Sequence, residues 1–196
     1  ILDVGVKGML NVLNACRAQN VGDLILISSS EVYQTPPIIP TPEDVPLVIP
    51  DIHNPRYSYG GGKIISELLT INYGRKDFKR VTIVRPHNVF GPDMGWEHVI
   101  PQFILRAHDQ IKLQGDGPLV FSIQGQGSET RAFIGIDDFT QGLMTVINKG
   151  QHQEIYHIGT EEEISIAGVA RKIVTALGRE IQIQPGPLTP GSVTRR

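Results

Sequence analysis

The stretch Leu24-Ile25-Leu26-Ile27-Ser28-Ser29-Ser30-Glu31-Val32-Tyr33 opens with four consecutive apolar residues and then turns abruptly polar. A short apolar run at that position, just after a helix, reads as a strand buried on both faces. The helix before it is set by Val6, Met9, Leu10, Leu13 and Cys16, which recur at three- and four-residue steps, and Asn20 and Gly22 end it. Downstream, Gln34 to Pro55 holds seven prolines, so this stretch is expected to be an irregular surface loop. Helical period returns from Tyr59 to Tyr73 through Ile64, Ile65, Leu68 and Ile71, with Gly74 as the expected stop. Val81 to Val84 is then a second buried strand, ended by Pro86.

The same alternation continues to the end of the chain. Val99 to Ala107 and Phe139 to Ile147 read as helices, and the Gly- and Gln-rich residues from Gly115 to Gly127 between them as mostly loop. Ile155 to Ile158 is expected to be a third strand. Ser165 is placed to cap a helix from Ile166 to Leu177 that stops at Gly178, and Ile181 to Ile183 is a further short strand. Helix, strand, helix, strand, helix, strand is the order of an α/β fold with a parallel sheet. Gly115 to Gly135 and the tail after Leu177 are expected to form a small lobe beside it.

Composition narrows the function classes. The 196 residues are 40% hydrophobic, enough for a substantial core, and the formal net charge of -2 offers no basic face to nucleic acid. Arg75, Lys76, Lys79 and Arg80 form one basic cluster beside a turn, where a solvated surface accounts for them. Cys16 is the single cysteine, which excludes an internal disulfide, and no apolar run approaches the ~20 residues of a membrane helix. A cytoplasmic protein without membrane or nucleic-acid partners is the expectation. Ile1 is not an initiator methionine and the last residues lack a terminating element, so the chain is expected to be a piece of a longer protein.

Tyr59 and Lys63 lie four apart on the same helical face. A phenol has a reference pKa of ~10, and a neighbouring ammonium favours its ionised form, so the pair can act as an acid and base near neutral pH. Alone, this spacing describes many exposed helical pairs. Preceded by Ser28-Ser29-Ser30-Glu31-Val32-Tyr33 and the Pro-rich loop, Tyr59-Gly60-Gly61-Gly62-Lys63 resembles the extended short-chain dehydrogenases of the NAD-dependent epimerase/dehydratase family. The resemblance continues through Gly5-Val6-Lys7-Gly8, where Gly5 replaces a usual asparagine, and Arg85-Pro86-His87-Asn88-Val89-Phe90-Gly91-Pro92. It extends to Val99-Ile100-Pro101, Thr130-Arg131-Ala132-Phe133, Asp137-Asp138 and Ile155-Tyr156-His157-Ile158-Gly159, where His157 replaces asparagine.

It implies a partial Rossmann-like parallel sheet with flanking helices plus a small C-terminal substrate lobe. Residues 1–110 and 136–160 would belong to the sheet domain, and 111–135 and 161–196 to the lobe. It assigns Ser29, Tyr59 and Lys63 to the oxidation of a sugar hydroxyl, with Glu31 as an additional catalytic carboxylate. Ser28, Tyr59, Lys63, Pro86 and His87 are implied to hold NAD, and Ser30, Asn88, Val99, Ile100 and Arg131 a nucleotide-diphosphate sugar. For Arg131 the reason is physical, since guanidinium offers phosphate a planar fork of donors. No metal is expected, because the first turn of a helix accounts for Asp137 and Asp138.

The family's Gly-rich phosphate turn would lie before Ile1, and Gly60 to Gly62 are no substitute, being inside the Tyr59 helix. The retained strands would leave one sheet edge open, so the isolated polypeptide is expected to bind NAD poorly and to associate. The resemblance also implies a homodimer through the helices at 4–18 and 59–73. The expected activity is transient oxidation at C4 of the sugar by an epimerase or dehydratase. Glu31 favours dehydratase or decarboxylase chemistry over simple epimerisation. Ser30 stands where the commonest 4,6-dehydratases have an aspartic acid, and Asp93 where glucuronate decarboxylases have an arginine. The alternatives are a UDP-glucuronate-type decarboxylase, a catalytically silent NAD or nucleotide-sugar binding protein, and a structural subunit.

Overall fold

The computed structural model describes residues 1–187, 194 and 195. The end of the segment 161–196, at 188–193 and 196, therefore lies outside the described residues. A wide helical turn, Asp3–Lys7, runs directly into α1 (Gly8–Ala18). There follow β1 (Asp23–Ile27), α2 (Ser58–Asp77), β2 (Arg80–Pro86) and β3 (Asn88–Phe90). After them come α3 (Val99–Gln114), β4 (Leu119–Ile123), β5 (Thr130–Gly135), α4 (Ile136–Lys149), β6 (Ile155–Ile158), β7 (Glu163–Ser165), α5 (Ile166–Ala176) and β8 (Ile181–Pro185).

The expected α/β architecture with parallel pairing is present. One sheet has the order β1-β2-β6, all parallel, with Leu26 opposite Ile83 and Val84 opposite Tyr156. β2 is central, and Val81, Thr82, Ile83 and Val84 are wholly buried. β1 is only half-buried, contrary to the expectation for Leu24–Ile27, because its outer edge has no partner strand among the described residues.

The Pro-rich segment is irregular as expected. The Gly115 to Gly127 region is mostly loop as expected, but it holds one unforeseen strand: Leu119, Phe121 and Ile123 alternate with exposed residues and pair in parallel with β8. Period-2 burial builds β4, and its flanking glycines concealed it. Phe121 packs edge-on against Phe103 of α3 at 5.1 Å between ring centroids, with Val169, Ala170 and Val174 of α5 completing this core. The boundary expected at 110 thus falls inside α3, a helix that packs on the lobe. A third sheet, β3-β5-β7, was not foreseen. It joins the main sheet to the lobe through β3 and β5 in parallel and β5 and β7 antiparallel.

Helix α2 departs from its expected amphipathic pattern. Its buried positions are Gly60, Gly61, Gly62, Ser66, Glu67, Thr70 and Gly74, while Leu68 is 59% exposed. Gly74 does not stop the helix, which runs on to Asp77. A Cβ at Gly74 would lie 2.3 Å from Val81 Cγ2, so glycine here allows the helix to sit directly on β2. Ser165 caps α5 by accepting from the Gly168 N–H at 3.0 Å, as expected. Among the described residues no helix is long and apolar enough to cross a membrane.

Candidate active site

Strand β1 ends at Ile27, and the chain turns through Ser28 and Ser29 into a short 3-10 turn, Ser30–Tyr33. Ser29 is extended and its Oγ accepts the Glu31 N–H at 3.1 Å, so its hydroxyl caps this turn. The N-terminus of α2 approaches the same turn. A Cβ on Gly60 would lie 3.0 Å from the Glu31 carbonyl oxygen and 2.5 Å from Gln34 Nε2, so only glycine lets Tyr59 come this near.

Between these elements lies a cleft of about 760 Å³ at the carboxyl ends of β1 and β2. Ser28, Ser29, Ser30 and Glu31 form one wall, Tyr59 and Lys63 of α2 a second, and Pro86, His87 and Asn88 a third. Val99 and Ile100, in the first turn of α3, close the far side. The ends of parallel strands are the usual ligand position in such sheets.

Lys63 Nζ donates to the Ile27 carbonyl at 2.8 Å and stands 5.8 Å from the centre of the Tyr59 ring. Burial lowers the Lys63 pKa, and the Glu67 carboxylate opposes that shift. An ammonium has three N–H donors, so after the bond to Ile27 two remain. Tyr59 is 42% exposed and directed to solvent and cleft. His87 anchors its backbone by donating to the Ile158 carbonyl, and Asn88 Nδ2 donates to the Ala132 carbonyl at 2.8 Å, tying β3 to β5.

Arg131 is the one expected site residue that does not line the cleft. It lies on β5, and its Nη1 donates to the Thr130 carbonyl at 2.7 Å. Strand alternation nevertheless puts it on the same face as Phe133, which does line the cleft. Arg56, Met94, His98 and Phe133 also contribute to the wall and were not singled out from sequence. His98 immediately precedes the Val99-Ile100-Pro101 segment, and that proximity was the available signal.

Behind the cleft runs a polar chain, buried at Ser28, Tyr33, Glu67 and Arg85, that the sequence reading missed. Ser28 Oγ donates to Glu67, whose carboxylate also receives Arg85 Nε at 3.0 Å and Nη2 at 2.6 Å. Arg85 Nη1 donates to the Tyr33 hydroxyl and to the Glu43 carbonyl. Tyr33 in turn meets His157 Nε2 at 2.7 Å, and the Glu43 carboxylate accepts the His157 backbone N–H at 3.2 Å. Burial raises the Tyr33 pKa against the pull of Arg85, and burial lowers that of His157 against the pull of Glu43. For Glu43, burial is outweighed chiefly by the bond from the His157 backbone, so its carboxyl titrates below the ordinary range. Among the described residues no group of three His, Cys, Asp or Glu side chains is placed to hold a metal ion.

A parallel α/β sheet with serine, tyrosine and lysine around one cleft at its strand ends defines a dehydrogenase-like protein. The chain belongs to the NAD dependent epimerase/dehydratase family, whose sequence profile matches residues 1–159. The family is NAD-dependent. A dTDP-4-dehydro-6-deoxy-D-allose reductase of Streptomyces bikiniensis is 30% identical over 195 residues, which cover 95% of this chain and 56% of that protein. UDP-glucuronic acid decarboxylase 1 of Danio rerio is 33% identical over 198 residues, covering 100% and 44% respectively. Among solved structures, the dTDP-glucose 4,6-dehydratase DesIV of Streptomyces venezuelae, determined with NAD bound, superposes with a TM-score of 0.80 at 26% identity. That match covers 99% of this chain and 56% of DesIV. The chain spans about half the length of the relatives it matches.

Proposed function

We propose that this chain carries the acid–base site of an enzyme that transiently oxidises C4 of a nucleotide-diphosphate sugar with NAD. One observation carries the reading: Ser29, Tyr59 and Lys63 line a single cleft at the ends of β1 and β2. When bound, NAD supplies the redox half of the reaction. The donors and surfaces present suit its ribose and ring, with Lys63, Tyr59 and Ser28 as polar partners and Pro86 and His87 as walls.

Tyr59 takes the proton of the C4 hydroxyl, with the Lys63 ammonium 5.8 Å from the centre of its ring. Ser29 donates to the oxygen as negative charge develops on it. Glu31 stands beside the same space and is suited to remove the C5 proton once C4 is a ketone. Ser30, Asn88, Val99 and Ile100 contact the sugar and nucleotide, and Arg131, on the face of β5 that Phe133 shares, takes the diphosphate. A decarboxylase of the UDP-glucuronate type is the second reading, favoured by the likeness to the Danio rerio enzyme. Retention of Ser29, Tyr59 and Lys63 together weighs against a silent binding protein.

We further propose a homodimer through helices 4–18 and 59–73, supported by the exposed apolar side chains of Val4, Val12, Ile65 and Leu68. A cytoplasmic location keeps the single thiol, Cys16, reduced. Incubating the full natural protein and NAD with a panel of UDP- and dTDP-sugars, followed by mass and NMR analysis, tests the function. Unchanged mass marks epimerisation, loss of water dehydration, and loss of carbon dioxide decarboxylation. In each case deuterium at C4 slows turnover; turnover indifferent to C4 deuterium would overturn the reading.

A further inference from the structure

Tyr59, Lys63 and Glu67 follow one another at four-residue steps along one face of α2, descending from solvent into the interior. Tyr59 and Lys63 belong to the cleft. Glu67 is 4% exposed and does not line it. We propose that Glu67 is a positioning residue, a single buried carboxylate that fastens α2 to the ends of β1 and β2 where each strand hands over to the cleft wall.

Every contact of this carboxylate leads to a residue adjoining the site. Its Oε1 accepts Ser28 Oγ at 2.5 Å, and Ser28 immediately precedes Ser29. The Arg85 guanidinium binds it through two nitrogens, and Arg85 immediately precedes Pro86, His87 and Asn88. Among the described residues, no other α2 side chain bonds both to the residue that follows β1 and to β2. Lys63 reaches only the Ile27 carbonyl, and Thr70 bonds back to its own helix. Through Arg85 the same node reaches Tyr33 and the Glu43 carbonyl on the Pro-rich loop, and through Tyr33 it reaches His157 on β6.

A buried ion pair contributes little net stability over an apolar replacement, but it sets geometry, because charge-assisted and bidentate bonds tolerate few arrangements. Its charge has a second effect. Glu67 lies one turn below Lys63 and counters the burial that disfavours the ammonium. The groups facing Glu67 are Ser28, Lys63 and Arg85, with Tyr33, Glu43 and His157 one contact further away. Arg85 keeps its proton whatever happens to Glu67, so loss of the carboxylate's charge is read in protonation at Lys63.

The inference rests on the proposed Ser29, Tyr59 and Lys63 site, but its test requires no turnover. Trace acetylation of the full natural protein with acetic anhydride, read by peptide mass spectrometry across pH, measures Lys63 against Lys149 and Lys172 as internal references. In Glu67→Gln, Lys63 is expected to react faster near neutral pH than in the parent, while Lys149 and Lys172 keep their rates. Ser28→Ala leaves the Glu67–Arg85 pair intact and provides the second arm should Glu67→Gln not fold. It is expected to leave Lys63 acetylation unchanged and to speed hydrogen exchange at the Glu31 amide, which Ser29 Oγ holds, by about tenfold. A folded Glu67→Gln with the parent's Lys63 profile, or Ser28→Ala with the parent's Glu31 exchange, would overturn the proposal. Normal turnover failing with every nucleotide sugar would remove the proposed function and leave these two readouts standing.

Discussion

Replacing Gly60 by alanine sets helix propensity against a collision at the site. An interior helical glycine costs about 1 kcal/mol relative to alanine, so propensity alone makes the substitution stabilising. At Gly60, however, the new Cβ would lie 2.5 Å from Gln34 Nε2 and 3.0 Å from the Glu31 carbonyl oxygen. The Gln34 side chain is itself held, donating to that carbonyl at 2.7 Å, and Gln34 is 3% exposed. Overpacking of this kind costs about 1–3 kcal/mol, and displacing the Gln34 bond about 1 kcal/mol more. The net effect is a loss of about 1–3 kcal/mol. Gly62 is the internal control, because its Cβ would meet nothing nearer than Leu2 Cδ2, at 3.7 Å. Gly62→Ala should therefore gain about 0.5–1 kcal/mol. Urea unfolding reads the difference: at a slope of roughly 2 kcal/mol per molar, the two midpoints should separate by about 1–2 M with slopes unchanged. A Gly60→Ala midpoint at or above that of Gly62→Ala would refute the close approach of α2 to the Ser30–Tyr33 turn.

Phe121→Ala, at a wholly buried position in the lobe core, should cost about 3–5 kcal/mol by the same unfolding assay. A loss below about 1 kcal/mol would mean that β4 does not pack between α3 and α5. His157 has a pKa below its unfolded value, so the unfolded chain binds more protons and stability falls as pH drops from about 6.5 through the lower folded-state pKa. His157→Asn should flatten that slope. Glu43, depressed below the ordinary carboxylate range, stabilises above about pH 4.5, a contribution lost at lower pH that should survive in His157→Asn. A stability profile between pH 7 and 5 that is identical in the two proteins would contradict a His157 pKa lowered by burial.

Elements with a strong local signal were legible from sequence. Ile155 to Ile158 is β6 residue for residue, and Ser165 caps α5, because short β-branched and aromatic runs and capping hydroxyls act locally. The residues quoted around Ser29, Tyr59 and Lys63 converge on one cleft, along with Pro86, His87, Asn88, Val99 and Ile100. What escaped depends on partners distant in sequence. β3, β5 and β7 are short strands recognisable only by their pairing, and β4 acquires its identity from β8, whose register sets Phe121 opposite Ile183. On α2, apolar spacing pointed to Ile65 and Leu68, yet close contact with β2 and the Ser30–Tyr33 turn selects glycines and small polar residues for the buried face. Glu67 and Arg85 each read as ordinary charges until the fold closes them on one another out of water. Arg131 was identified by motif, but β5 carries it beyond the cleft wall.

The central claim is that the Tyr59 phenol handles the sugar's carbinol proton. Stopped-flow absorbance of reduced nicotinamide, with the full natural protein, NAD and a nucleotide sugar that it converts, tests this directly. Tyr59→Phe should form reduced nicotinamide about 10²–10⁴-fold more slowly while still binding the sugar. Formation at the parent's rate in Tyr59→Phe would contradict the account.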